Sequence, residues 1–198
     1  MTELFDPQEA WDSLRLVAVD TEGNGERAAA LVEIGVVPIE HGVAGQAASW
    51  LVRPRSPILW QATKVHGITD EDVASCPSAD QIRAQVAEAL GERPIVVAHN
   101  AHVEIDMLGR ELGIEAAAAV DTLKIARRCF PRLPSHRLAD LADFFGIVPG
   151  PETGAAARVH RAGYDALLAA RLLCEMAQRS QLRTLGQLLD LDPTPALF

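Results

Sequence analysis

The apolar residues of this chain come in short runs, and their spacing changes partway along. Positions 14–19 (LRLVAV), 31–39 (LVEIGVVPI) and 47–52 (AASWLV) have the length and composition of buried strands. Turn residues separate them: GNGER after the first run, His41-Gly42 after the second, and Pro54 beyond the third. Three such strands read as an antiparallel meander. After them the period becomes helical. Ile82, Val86 and Leu90 recur every fourth residue over 78–90, and Gly91 closes the segment. Positions 94–98 (PIVVA) read as another buried strand, followed by a helix over 101–112, a weak strand at 116–120, and helices at 122–129, 135–145, 161–179 and 184–190. A short helix is predicted at 7–13, an acid-rich helix start at 69–72, and a loop over the Pro/Gly-rich stretch 146–155. The expected class is α/β: a mixed central sheet, antiparallel meander plus parallel strands, flanked by helices. At 198 residues the chain reads as one domain.

Several function classes are disfavoured. No apolar run approaches the ~18–20 residues of a membrane span. The first thirty residues hold Glu3, Asp6, Glu9 and Asp12 with no basic start or apolar core, so no signal peptide is expected. Cys76, Cys129 and Cys174 form no CxxC pair, which argues against thiolate zinc and a disulfide framework and for the cytoplasm. The net charge of −9 speaks at first against a nucleic-acid partner. Its distribution weakens that inference. Residues 1–48 hold nine acids against two bases, whereas 122–139 hold Lys124, Arg127, Arg128, Arg132 and Arg137 with no acid. The latter is either a basic binding face or an ordinary solvated one.

Three constellations carry chemistry. Asp20 and Glu22 follow a strand at i and i+2, so their carboxylates share a face at its carboxyl end, an oxygen set suited to Mg²⁺ or Mn²⁺. Alone they read equally as an acidic turn. His99-Asn100 to Asp106 is a strand end running into a helix, with Glu104 in its first turn and Asp106 on a nearly opposite face. A first-turn acid is favoured by the helix dipole whatever its function. His160 and Asp165 precede a long apolar helix and can sit over one pocket, or be a surface histidine and a capping acid.

Taken in order, these residues resemble the DEDDh class of proofreading-type 3′→5′ exonucleases. VAVDTEGNG, IVVAHNAHVE and HRAGYDALLAARLL resemble its three motifs, and Val65-His66-Gly67-Ile68-Thr69 and Asp121-Thr122-Leu123 resemble further recurrent segments. The resemblance covers about residues 14–178 and implies a ribonuclease H-like fold. It also implies two-metal hydrolysis of phosphodiesters at 3′ ends of single-stranded nucleic acid, DNA favoured and RNA open, releasing nucleoside monophosphates. Asp20, Glu22, Glu104 and Asp165 would ligate two Mg²⁺ or Mn²⁺ ions, and His160 would be the general base, an imidazole whose ordinary titration lies near neutrality. Gly23, Asn24, Gly25, His66 and Asn100 would line the substrate site, with Trp60, Phe130 and Tyr164 as stacking candidates. Glu33 and Asp121 read as structural.

Two departures stand out. Position 104 is Glu where the family has Asp, and Gly23-Asn24-Gly25 replaces Thr-Thr-Gly. Glu104 motivates an alternative, a metal-impaired domain that binds nucleic-acid ends or a polymerase partner without cutting. An RNA- or oligoribonucleotide-trimming enzyme is the other alternative. Homodimer formation and a polymerase partner are left open by the sequence.

Overall fold

The computed structural model describes residues 5–147 and 160–191. Among these, six strands form one sheet. β1 (Leu16–Gly23) lies between β2 (Leu31–Glu40), antiparallel, and β5 (Ile95–Ala98), parallel. β6 (Ala118–Asp121) extends the parallel side, while β3 (Val43–Ala44) and β4 (Ala48–Leu51) pair antiparallel with β2. The sheet is therefore mixed, as the change of period predicts.

Alternation along β1 sends Leu16 and Ala18 to one face and Val17 and Val19 to the other. Leu16 and Ala18 join Val37, Ile39 and Val97 in a core that also holds residues of α5 (Thr122–Cys129), α6 (Leu138–Phe145), α7 (Ala162–Arg179) and α8 (Leu185–Leu188). Val17 and Val19 pack with Ile34, Val36 and Val96 beneath α3 (Ala79–Leu90). The same core takes in a π-helical turn, Leu108–Leu112, that continues α4 (His102–Met107). A smaller cluster gathers Val32 and Ile58 with α1 (Trp60–His66) and α2 (Asp70–Val73). No helix among the described residues is long and apolar enough to cross a membrane.

Four elements differ from the sequence reading. β1 runs past Val19 to Gly23, because its ladder with β2 continues from Asp20↔Gly35 to Gly23↔Leu31. The first two acids thus lie inside the strand. The predicted helix at 7–13 is only a 3₁₀ turn, Trp11–Ser13, because the preceding backbone bonds to residues 183–186 instead of to itself. α6 begins at Leu138, after Pro134 and a Ser135 hydroxyl that bonds Asp140. α1, closed by Gly67 at φ 74°, has no apolar periodicity to announce it. Of the loop expected over 146–155, positions 148–155 lie outside the described residues.

Candidate metal and catalytic centre

The apolar stripe of β1 turns acidic at its carboxyl end. Leu16 and Ala18 are followed on the same face by Asp20 and Glu22. Opposite them on β2 stand Gly35 and Glu33. Gly35 is a close-approach position: a Cβ there would overlap the Ala162 carbonyl and the Gly163 nitrogen. The first turn of α7 therefore rests on the sheet beside Asp20. Glu33 secures it. Its carboxylate accepts Arg161 Nε (2.9 Å), Arg161 Nη2 (2.7 Å) and the Ala162 N–H (3.0 Å). Glu33 is buried and structural, as its place in an apolar strand suggests.

This contact delivers Asp165 and His160. Ligand atoms of Glu22, His160 and Asp165 all lie within 4.8 Å of one another. The His160 N–H donates to Asp165 Oδ2 (3.0 Å), with His160 at φ 65°, while its exposed Nδ1 stands 4.0 Å from the same oxygen. Asp20 and Glu104 lie outside that three-residue group but share its field. Burial raises the Asp20 carboxyl well above its ordinary range, reinforced by Glu104, Glu22 and Asp165. Burial raises Glu22 to about 8, with Asp165 and Glu33 adding to it, and Glu104 to about 7. Asp165 is raised mainly by burial too. Glu104 is buried and its Oε2 has no hydrogen-bond partner. Four crowded carboxylates, one with an orphaned oxygen, fit hard divalent cations, and an imidazole stands at their rim. Asp106 points away and pairs with Arg110 at 3.3 Å, as its helix phase predicts.

The surrounding residues divide. His66 is buried. Its Nδ1 accepts the Ile68 N–H (3.0 Å), so a neutral ring carries its proton on Nε2, near the Gly23 carbonyl. Burial lowers its pKa, partly offset by the Gly23 carbonyl. Asn24 departs from its expected role. It is fully buried, its amide bonds Ser56 and Pro57, its Oδ1 accepts Glu26 and Ala30 N–H, and its backbone bonds Ala30 and Leu59. Nothing of it remains for a substrate: it pins the loop. Gly25, at φ 86°, turns the chain against Ala62. Asn100 adopts φ 78°, and its N–H donates to Asp121, which also caps α5 through Leu123 and Lys124 N–H. Asp121 thus fixes the junction that carries Glu104 and is structural.

An open groove of about 960 Å³ runs from His160 and Asp165 past Asn100 and His99 to Arg127 and Arg137. His99 helps shape its wall, with Nδ1 3.0 Å from Thr122 Oγ1 and Nε2 2.9 Å from the His136 carbonyl. Of the five bases in 122–139, Arg128 is committed to Asp190 and the Gln187 carbonyl. A second hollow of about 710 Å³, between Trp11, His41 and Arg183, holds none of the predicted site residues. The sequence reading missed Gly35 and Arg161. Both had a signal: a glycine and an acid two apart inside an apolar strand, and an arginine directly before α7.

The family model RNase_T, described as exonuclease, matches residues 17–173. The chain is 33% identical over 145 residues to a DNA polymerase III subunit epsilon-like protein of Rhodobacter capsulatus, covering 69% of this chain and 20% of that protein. It is 27% identical over 169 residues to the DNA polymerase III subunit epsilon of Aquifex aeolicus, covering 82% and 80%. It also matches PolC-type DNA polymerase III of Caldanaerobacter subterraneus at 26% identity, spanning 11% of that protein. Among solved structures, exonuclease X in complex with 5′-overhanging duplex DNA superposes with a TM-score of 0.74 at 30% identity, covering 89% of this chain and 98% of that one. E. coli exonuclease I in complex with a dT13 oligonucleotide, at 14% identity and TM-score 0.70, shares the fold over 84% of this chain and 42% of its own.

Proposed function

Because this chain belongs to the RNase_T exonuclease family, we propose that it is a 3′→5′ exonuclease that removes nucleoside monophosphates from the 3′ ends of single-stranded DNA. The observation that carries this is the cluster of Asp20, Glu22, Glu104 and Asp165, each raised chiefly by burial, Asp20 and Glu22 also by their acidic neighbours, with the Glu104 oxygen left unpaired. These residues would hold two Mg²⁺ or Mn²⁺ ions. When bound, the cations supply electrostatic stabilisation of the attacking and leaving oxygens.

The protein's own groups do the rest. His160, exposed at the groove mouth, takes the proton of the attacking water. The water oxygen bonds the terminal phosphorus, the P–O3′ bond to the preceding nucleotide breaks, and the shortened strand keeps a 3′-hydroxyl. His66, Gly23, Gly25 and Asn100 would line the substrate site, Asn100 from the groove wall. DNA is favoured because the 30%-identical structural neighbour is a DNA complex.

The test is a time course with 5′-labelled DNA and RNA oligonucleotides in Mn²⁺ and in Mg²⁺. A ladder shortening from the 3′ end, lost in Asp20→Ala, is expected. Intact DNA and RNA in both metals would overturn the proposal, and removal of the 5′ label as mononucleotide would reverse the polarity.

A further inference from the structure

Three aromatic residues were candidates for stacking, and the structure separates them. Phe130 packs edge-on against Phe145 at 5.0 Å and joins the core. Tyr164 is half-buried in the first turn of α7. Trp60 is 62% exposed, at the start of α1. Leu59, directly before it, is 41% exposed, and Lys64, one turn on, places its ammonium 3.8 Å from the indole centroid.

The position of this apolar surface is fixed by the site. Leu59 N–H donates to the Asn24 carbonyl (2.8 Å), and Gly25 packs on Leu59 and Ala62, so the start of α1 is clamped to the loop that follows Glu22. The other end of the helix is His66, which feels the charges of Glu33, Arg161 and His160. Trp60 stands six residues before it, about 9 Å along the axis. A large exposed ring with an ammonium beside it, on a helix clamped to the loop that follows Glu22, suits an occupant that is flat, apolar on its face and anionic at its edge. A nucleobase with its phosphate meets all three conditions; Lys64 lies over one face of the indole, so the base would take the opposite face.

We infer that Trp60, oriented by Lys64, is a stacking platform for a base of the bound strand close to its 3′ end. This rests on the proposed nuclease reading and deepens it by naming a strand-gripping residue that is independent of the metals and the general base. Sequence tolerance follows, since every base has a π-face.

Tryptophan emission reads this directly. Trp11 is buried with its Nε1 bonded to the Leu182 carbonyl, and Trp50 bonds Gln85, so Trp60 is the most exposed of the three. The Mn²⁺-loaded protein is titrated with an oligothymidylate carrying a phosphorothioate at its 3′-terminal linkage, and with an abasic strand of equal length. Quenching by the oligothymidylate but not by the abasic strand is expected, and Trp60→Phe should abolish it. Trp60→Ala should weaken oligothymidylate binding about tenfold, as read by anisotropy, and leave abasic binding unchanged. Equal quenching by both strands, or wild-type affinity in Trp60→Ala, overturns the platform and leaves the surface to a protein partner. Cleavage of DNA without quenching sinks this inference alone, whereas absence of both cleavage and binding sinks the nuclease reading.

Discussion

The molecule buries carboxylates in two ways. Glu33 and Glu111 are each met by guanidinium: Arg161 grips Glu33 with two nitrogens, and Arg55 and Arg110 converge on Glu111. Asp20, Glu22, Glu104 and Asp165 are crowded at the end of β1, and among the described residues no arginine is hydrogen-bonded to any of them. The chain does not lack arginine, since it outnumbers lysine sixteen to two. Arg161 lowers Glu22, yet it spends its hydrogen bonds on Glu33 and leaves Glu22 near 8. An uncompensated buried charge costs several kcal/mol. The first pair of acids is therefore finished architecture. The second group has no protein counterion of this kind among the described residues, which is what the proposed cation site requires.

Removing a charge should thus have opposite effects in the two groups. Glu33→Gln leaves the Arg161 guanidinium, whose side chain is 24% exposed, without its carboxylate. We expect a loss of about 3–5 kcal/mol in urea unfolding, since one partner of a buried pair is removed. Asp20→Asn, measured without metal, should raise the melting temperature, because it deletes a repelling charge. A neutral Glu33→Gln, or an Asp20→Asn that melts lower in EDTA, would erase the contrast.

The same difference predicts a pH dependence. The folded-state pKa values of Glu22 (about 8) and Glu104 (about 7) lie above the ordinary carboxylate value that an unfolded chain shows. Between roughly pH 4.5 and 8 the folded state binds more protons than the unfolded one, so stability is greatest below this window and falls as pH rises through it. In EDTA the melting temperature should drop by several degrees from pH 5.5 to 8.5. Saturating Mn²⁺ should flatten that slope and stabilise more at pH 8 than at pH 6. A melting temperature that climbs with pH in EDTA would contradict the raised carboxyls.

One glycine joins the two groups. Gly35 lets the α7 start rest on the sheet, which brings Arg161 to Glu33 and Asp165 to Asp20 and Glu22. Gly35→Ala forces a methyl into backbone and should cost about 1–3 kcal/mol. Because Asp165 must move with the helix, activity should fall more than stability explains. Wild-type turnover in a folded Gly35→Ala protein would show that α7 need not sit so close.

Much of this was legible in the sequence, and the reason is local. Strand alternation put Asp20 and Glu22 on one face, helix starts took in Glu104 and Asp165, and three motifs in order tied them together. The Glu33–Arg161 pair was not legible, because its partners are 128 residues apart and only the fold makes them neighbours. The burial of Asn24 was not legible for a related reason. A polar residue in a glycine turn looks free for ligand, and its burial under residues 56–59 depends on a loop whose path no local rule specifies. The 7–13 segment failed as a helix because residues from the far end of the chain took its backbone bonds.

The smallest effect repeats the contrast with the sign of the charge reversed. Arg128 is tied to Asp190 and the Gln187 carbonyl, whereas Arg127 is exposed on the groove wall without an ion pair among the described residues. A cation already neutralised by the protein releases no counterion when a strand arrives. If the groove carries the strand, Arg127→Ala should reduce the slope of log K against log salt by about 0.7 for single-stranded DNA. Arg128→Ala should leave that slope unchanged and lower the melting temperature instead, because Asp190 and the Gln187 carbonyl lose their donor. Anisotropy with the phosphorothioate strand over a salt series separates the two. Equal losses of slope would mean that Arg128 leaves Asp190 on binding, and that the paired and unpaired arginines form a single surface.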